Sequence, residues 1–132
     1  MTNSAIVIVD DEAIILLSLK QLIKAHFGSR FRYETVMDAG SAIGLIDDFV
    51  SEGIEVIIVI TDWLMPVIKG DELLRKVHSK HPGIKLIMIT GQADASIVEE
   101  LKKQVKLEGV IMKPWNTAEL LVLLDRCVLE AS

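Results

Sequence analysis

Ile54-Glu55-Val56-Ile57-Ile58-Val59-Ile60-Thr61-Asp62-Trp63-Leu64-Met65-Pro66 runs from an almost unbroken β-branched stretch into a threonine, an aspartate and a proline. Its apolar part is far too short to span a bilayer, which takes about 20 residues. Branched side chains at nearly every position suit a strand buried on both faces, as in a parallel sheet covered by helices. The polar residues at its carboxyl end then fall where open parallel sheets bind ligands.

Outward from this stretch the same pattern repeats. Residues 5–9, 84–89 and 110–112 are further short Ile/Val-rich runs. Residues 31–36 differ, because Phe31 and Tyr33 alternate with Arg32 and Glu34, the period of two of a half-exposed edge strand. Helical patterns fill the intervals at 12–26, 38–50, 70–80, 94–104 and from Thr117 to about Glu130. In the first, Ile15, Leu16, Leu19, Leu22 and Ile23 line one side and Gly28 follows as a stop signal. Asn116 and Glu119 have the spacing of a capping box ahead of the last. Gly53, Pro82-Gly83 and Gly109 read as joins. Five strands alternating with five helices imply an α/β, flavodoxin-like, doubly wound parallel sheet with helices on both faces. The most apolar strands should be central and 31–36 should lie at an edge, giving the order 2-1-3-4-5. Residues 1–132 read as a single domain.

Composition excludes several classes of function. The chain has 132 residues, 51% hydrophobic and 25% charged, which is globular rather than disordered. A net charge of −5 is wrong for a direct nucleic-acid surface. Cys127 is alone, so a disulfide framework within the chain is out. Met1-Thr2-Asn3-Ser4 lacks the basic start of a signal peptide, and no run is long enough for a membrane. A cytoplasmic location is the expectation.

The carboxyl ends of the strands carry Asp10-Asp11-Glu12, Thr61-Asp62, Thr90-Gly91 and Lys113-Pro114. Strand-to-helix turns often carry Asp or Thr merely as helix caps. Three aspartates, a hydroxyl and an ammonium on one edge are more than capping requires. Asp10, Asp11 and Asp62 would repel one another if all were ionised, so they call for a cation. Hard oxygen donors point to Mg2+. A carboxylate beside that ion can act as a nucleophile towards phosphorus, with Lys113 and the Thr90 hydroxyl placed to hold phosphoryl oxygens.

With these residues the sequence closely resembles response-regulator receiver domains of two-component signalling. The matching segments are Ile6-Val7-Ile8-Val9-Asp10-Asp11-Glu12, Ile60-Thr61-Asp62-Trp63-Leu64-Met65-Pro66 with Gly70, Met88-Ile89-Thr90-Gly91, and Lys113-Pro114-Trp115. The resemblance covers essentially the whole chain and looks chemotaxis-regulator-like. It implies that Asp62 is the phosphoacceptor, taking a phosphoryl group from a sensor histidine kinase or phosphotransfer protein and signalling by conformational change. It implies Mg2+ held by Asp10, Asp11, Asp62 and the backbone carbonyl of Leu64, and a phosphoryl-binding switch made by Thr90 and Lys113. The Lys113-Pro114 bond is often cis in such domains. Two positions depart from the pattern. Where many receivers carry a switch aromatic, three residues before the lysine, this chain has Val110. Leu64 and Gln92 occupy positions that tune phosphoryl lifetime, and an apolar Leu64 implies slow self-dephosphorylation.

Other functions fit less well. A haloacid-dehalogenase-type phosphohydrolase would carry Asp-x-Asp on its first strand and an inserted cap. A flavin site would not place acids at the strand ends. The alternative within the family is a non-phosphorylated protein-interaction module, which usually lacks one of the acids, the threonine or the lysine. Among the remaining residues, Trp63 either shields the site, meets a partner or packs on its loop. Trp115 reads as packing, His26, His78 and His81 as surface residues, and Lys102, Lys103 and Lys106 as a solvated face. Cys127 reads as a small buried hydrophobe. Consecutive Leu120-Leu121-Val122-Leu123-Leu124 exceeds one apolar stripe. The surplus either makes a homodimer, meets a downstream effector domain or protein, or packs against the first helix.

Overall fold

The computed structural model describes residues 3–92 and 94–131, which leaves Met1 and Thr2 of the amino-terminal reading, as well as Ala93 and Ser132, outside it. The strands are β1 (Ser4–Val9), β2 (Arg32–Val36), β3 (Glu55–Thr61), β4 (Lys85–Thr90) and β5 (Leu107–Met112). The helices are α1 (Ala13–Phe27), α2 (Ala39–Ser51), α3 (Gly70–Lys80), α4 (Ala95–Gln104) and α5 (Thr117–Ala131), with a 3-10 turn at Gly28–Arg30. The sheet is parallel in the order β2-β1-β3-β4-β5, the flavodoxin-like doubly wound arrangement. Where the sequence places helix starts at Glu12, Asp38 and Asp94, these residues are instead the extended caps, and each helix begins one residue later.

Alternation along the strands divides the interior in two. Ile6, Ile8, Ile58, Ile60, Ile87 and Ile89 face α1 and α5, meeting Leu19, Ile23, Leu120 and Leu124. Val7, Val9, Val59, Leu86 and Met88 face the other helices, meeting Ile46, Leu73, Leu74 and Leu101. The β2 edge is half-buried as its alternation predicts, with Phe31 and Tyr33 buried and Arg32 and Glu34 partly exposed.

Gly109 is a correction. It lies inside β5 rather than at a join, because the strand extends back to Leu107 and the pairing with β4 skips Glu108. A Cβ there would stand 2.7 Å from Leu123 Cδ2, so the missing side chain is the space α5 occupies. That packing answers part of the question raised by the last helix. Leu120, Leu123, Leu124, Cys127 and Val128 are buried, while Val122 and Leu129 stay exposed. His26 is exposed, as expected, with its Nε2 2.7 Å from Asp125 Oδ1, whereas His81 is partly buried and meets Asp47 Oδ1 at 2.9 Å.

Between β3 and α3 the chain turns sharply through Val67, whose φ is 69° although its side chain is fully exposed. A β-branched residue in the left-handed region costs about 1–2 kcal/mol, and this one has no contact to offset it. Val67→Asn is expected to raise unfolding free energy by about 1 kcal/mol, since Asn tolerates that region. Denaturant unfolding of the two chains checks this, and equal midpoints would contradict it.

Candidate functional site

The site gathers at the carboxyl edge of β1, β3, β4 and β5. Backbone bonds set its frame: Asp62 N–H donates to Val9 O at 3.0 Å and Lys113 N–H to Thr90 O at 3.0 Å. Asp10 and Asp62 are buried, with 2% and 8% exposure, whereas Asp11 is open to solvent. One carboxylate oxygen from each of the three can lie within 4.8 Å of the others, and among the described residues this is the grouping of acid, His or Cys donors able to hold a metal. Lys113 Nζ sits 2.7 Å from Asp10 Oδ2 and 3.5 Å from Asp62 Oδ2. A cleft of roughly 530 Å3 opens over these groups, lined by Asp11, Glu12, Asp62, Leu64, Met65, Pro66, Thr90, Gly91, Gln92 and Lys113. The acids, Leu64, Thr90 and Lys113 are thus at the site as expected, while Val110 packs partly buried against the core shared by α2, α3 and α4. The Lys113-Pro114 bond is cis.

Backbone N–H groups fix one oxygen of each buried carboxylate, and Lys113 also takes the second oxygen of Asp10. Asp10 Oδ1 accepts Glu12 N–H at 2.9 Å, and Asp62 Oδ1 accepts Trp63 N–H at 2.9 Å. That leaves Asp62 Oδ2 facing Lys113. Asp38 and Asp94, by contrast, are exposed and do cap helices, accepting from Ser41 N–H at 2.7 Å and Ser96 N–H at 2.8 Å. Capping therefore explains those two acids but not the three in the cleft.

Burial pushes the Asp62 carboxyl above the usual range, and the Asp10 charge pushes the same way. Together they outweigh Lys113, Thr90 and the Trp63 N–H. Burial alone would lower the Lys113 ammonium. The Asp10 hydrogen bond and the charges of Asp10, Asp62 and Glu12 outweigh it and hold Lys113 above its ordinary value. The raised Asp62 group contributes stability that is fully present below the usual carboxylate range and lost as pH rises through its folded value. Asp62→Asn removes that loss. In metal-free buffer it is expected to be more stable than the parent by on the order of 1 kcal/mol at neutral pH. The gain should disappear in acid, and urea unfolding across that pH range reads both limbs.

The donor set fits Mg2+. All available ligands are hard oxygens, neither His nor Cys belongs to the group, and exposed Asp11 leaves room for retained waters.

Two contributions escaped the sequence reading. Gly70 is a helix start by its spacing, yet its N–H also donates to Trp63 O at 2.8 Å, drawing the loop back against Asp62. Trp63 is neither free nor simply packed: its Nε1–H donates to Asp71 Oδ1 at 3.1 Å. No periodicity signals either contact.

Fold and site together define a flavodoxin-like α/β domain with an acidic, cation-suited cleft at its switch point. The chain belongs to the response regulator receiver domain family, whose model matches residues 6–125. It is 28% identical over 118 residues to the sensor kinase CckA of Brucella abortus, covering 89% of this chain but only 12% of that protein. It is 30% identical to the chemotaxis protein CheY1 of Helicobacter pylori, covering 84% of this chain and 86% of that one. Among solved structures, a CheY-like response regulator receiver domain protein from Methanospirillum hungatei superposes with a TM-score of 0.81. That protein is 31% identical, and the match covers 99% of this chain and 97% of the other. Within the described residues no helix is long and apolar enough to cross a membrane.

Proposed function

We propose that this receiver accepts a phosphoryl group on Asp62 from a phosphohistidine of a sensor histidine kinase or phosphotransfer protein, and signals by the conformational change that follows. The observation carrying this is the pairing of a buried carboxylate, one oxygen held by Trp63 N–H, with an ammonium 3.5 Å from its other oxygen. Asp62 Oδ2 forms the new O–P bond while the P–N bond of the donor breaks and its electron pair returns to the imidazole. The product is an acyl phosphate. Lys113 follows the negative charge from the carboxylates onto the phosphoryl oxygens, and the Thr90 hydroxyl, at the cleft wall, donates to one of them. Asp10, Asp11, Asp62 and the Leu64 carbonyl would hold Mg2+, which supplies charge neutralisation at those oxygens. Asp62 acts on its own chain only, so the domain catalyses its own phosphorylation and dephosphorylation and no other turnover. The signal passes to a downstream effector domain or protein, or to a second copy along α5, where Val122 and Leu129 stay exposed. The non-phosphorylated interaction module is not favoured, since nothing in the acids, Thr90 or Lys113 is missing from the cleft.

Intact mass after incubation with acetyl phosphate and Mg2+ tests this reading. One phosphoryl adduct on the parent, absent without metal and absent from Asp62→Asn, is expected. No adduct, with no beryllofluoride binding, would leave the interaction module. Leu64, 44% exposed at the cleft, has no group to orient an attacking water. Leu64→Asn is expected to hasten loss of the acyl phosphate about tenfold, the worth of roughly one hydrogen bond. Adduct decay timed by mass spectrometry checks it, and an unchanged half-life would count against it.

A further inference from the structure

Trp63 is held at several points. Its N–H donates to Asp62 Oδ1 at 2.9 Å, its carbonyl accepts Gly70 N–H at 2.8 Å, and its Nε1–H donates to Asp71 Oδ1 at 3.1 Å. The Lys69 ammonium lies 5.2 Å from its ring. The indole therefore does more than fill space, because its backbone is what orients the reactive carboxylate. Asp71 is itself 9% exposed, and its second oxygen accepts from Arg75 Nη1 at 2.6 Å. Arg75 Nε in turn donates to Gln104 Oε1, at the last turn of α4. Of the residues in α4, Leu101 is the one that is buried, so this helix is thinly anchored and able to shift at small cost.

We propose that Asp71 is a positioning residue for Asp62. It acts through the indole of Trp63, and through Arg75 it makes the geometry of Asp62 depend on where Gln104 of α4 stands. This rests on the reading of Asp62 as phosphoacceptor. Linked hydrogen bonds between two sites carry coupling when one end can move, and here the moving end is α4. Small displacements of a nucleophile have large effects on rate. The route gives α4 a tie to the phosphoacceptor that does not pass through Val110.

The test is the rate of adduct formation from acetyl phosphate and Mg2+ in the full chain and in Asp71→Asn, Asp71→Ala, Gln104→Ala and Asp71→Asn/Gln104→Ala. Asp71→Ala loses both partners and is expected to slow the reaction about tenfold. Asp71→Asn keeps an acceptor for the indole but loses the charge that holds Arg75. It and exposed Gln104→Ala are each expected to slow it about threefold, and the double variant no further. Gln104→Ala touches no core contact, so its effect does not report on folding. In a Trp115→Phe background, the Trp63 emission change on adding beryllofluoride should shrink when Gln104 is removed. Asp71→Ala at the parent rate, Gln104→Ala without effect, or multiplicative slowing in the double variant would each overturn the proposal. A parent chain that takes no adduct would overturn the phosphoacceptor reading itself, and this inference with it.

Discussion

Gly70→Ala is expected to lose about 3 kcal/mol of stability and most of its phosphorylation, the largest effect of a single methyl group in this chain. A Cβ on Gly70 would stand 1.9 Å from the Asp62 carbonyl oxygen, 2.8 Å from its carbon and 2.9 Å from Trp63 Cα. These are backbone atoms and have no rotamer to escape into. The loop must open, and what it releases is the peptide carrying Asp62, the proposed phosphoacceptor. At about 3–4 °C per kcal/mol for a chain of this size, melting should fall by roughly 10 °C. Gly44→Ala is the control. Gly44 lies in α2 with open space around its would-be Cβ, so alanine there should gain about 1 kcal/mol. A thermal scan showing the two variants alike would mean that the tight return of the β3–α3 loop is not a structural necessity.

Asp11→Asn is expected to fold normally yet take up phosphoryl groups on the order of 100-fold more slowly, equivalent to about 2.7 kcal/mol of transition-state stabilisation. Asp11 is the open carboxylate of the acidic group, so an isosteric amide disturbs no packing. What it removes is a formal charge from the acids proposed to hold Mg2+. In the parent, Mg2+ at 100 times its dissociation constant should stabilise the fold by about 2.7 kcal/mol. The variant should show little of that increment over the same range. Paired Mg2+ titrations, one following adduct rate and one melting temperature, separate catalysis from binding. An Asp11→Asn chain with the parent's Mg2+ dependence in both would remove Asp11 from the metal site.

Much of the architecture follows from local pattern. The Ile/Val run before Thr61 is β3, and 70–80 is α3 residue for residue, because Gly70 and Pro82 bracket it. Strand order follows from the contrast between fully apolar runs and the alternation around Tyr33. The cleft follows as well, since strand ends converge in a parallel sheet whichever residues they carry. The places where the reading fails depend on contacts between distant residues. Gly109 resembles a turn glycine, but its lack of a side chain serves Leu123. The consecutive apolar residues of α5 leave several readings open, and the fold buries Leu120, Leu123 and Leu124 in the core that also holds Leu19 and Ile23 of α1, while Val122 stays exposed. His81 carries no ligand pattern, but the fold brings it against Asp47, 34 residues earlier. Asp71 would pass for an acid in the first turn of a helix, where its charge suits the dipole. Only the folded loop shows the indole bonded to it.

The most direct test is to find where the phosphoryl group goes. The chain is treated with acetyl phosphate and Mg2+, reduced at once with borohydride, which converts an acyl phosphate to homoserine, and mapped by peptide mass spectrometry. Homoserine at position 62, and at no other carboxylate, with none formed when the metal is chelated, is the expected result. Homoserine at Asp10 or Asp11, or spread without regard to metal among exposed acids, would contradict the assignment of Asp62 as the acceptor.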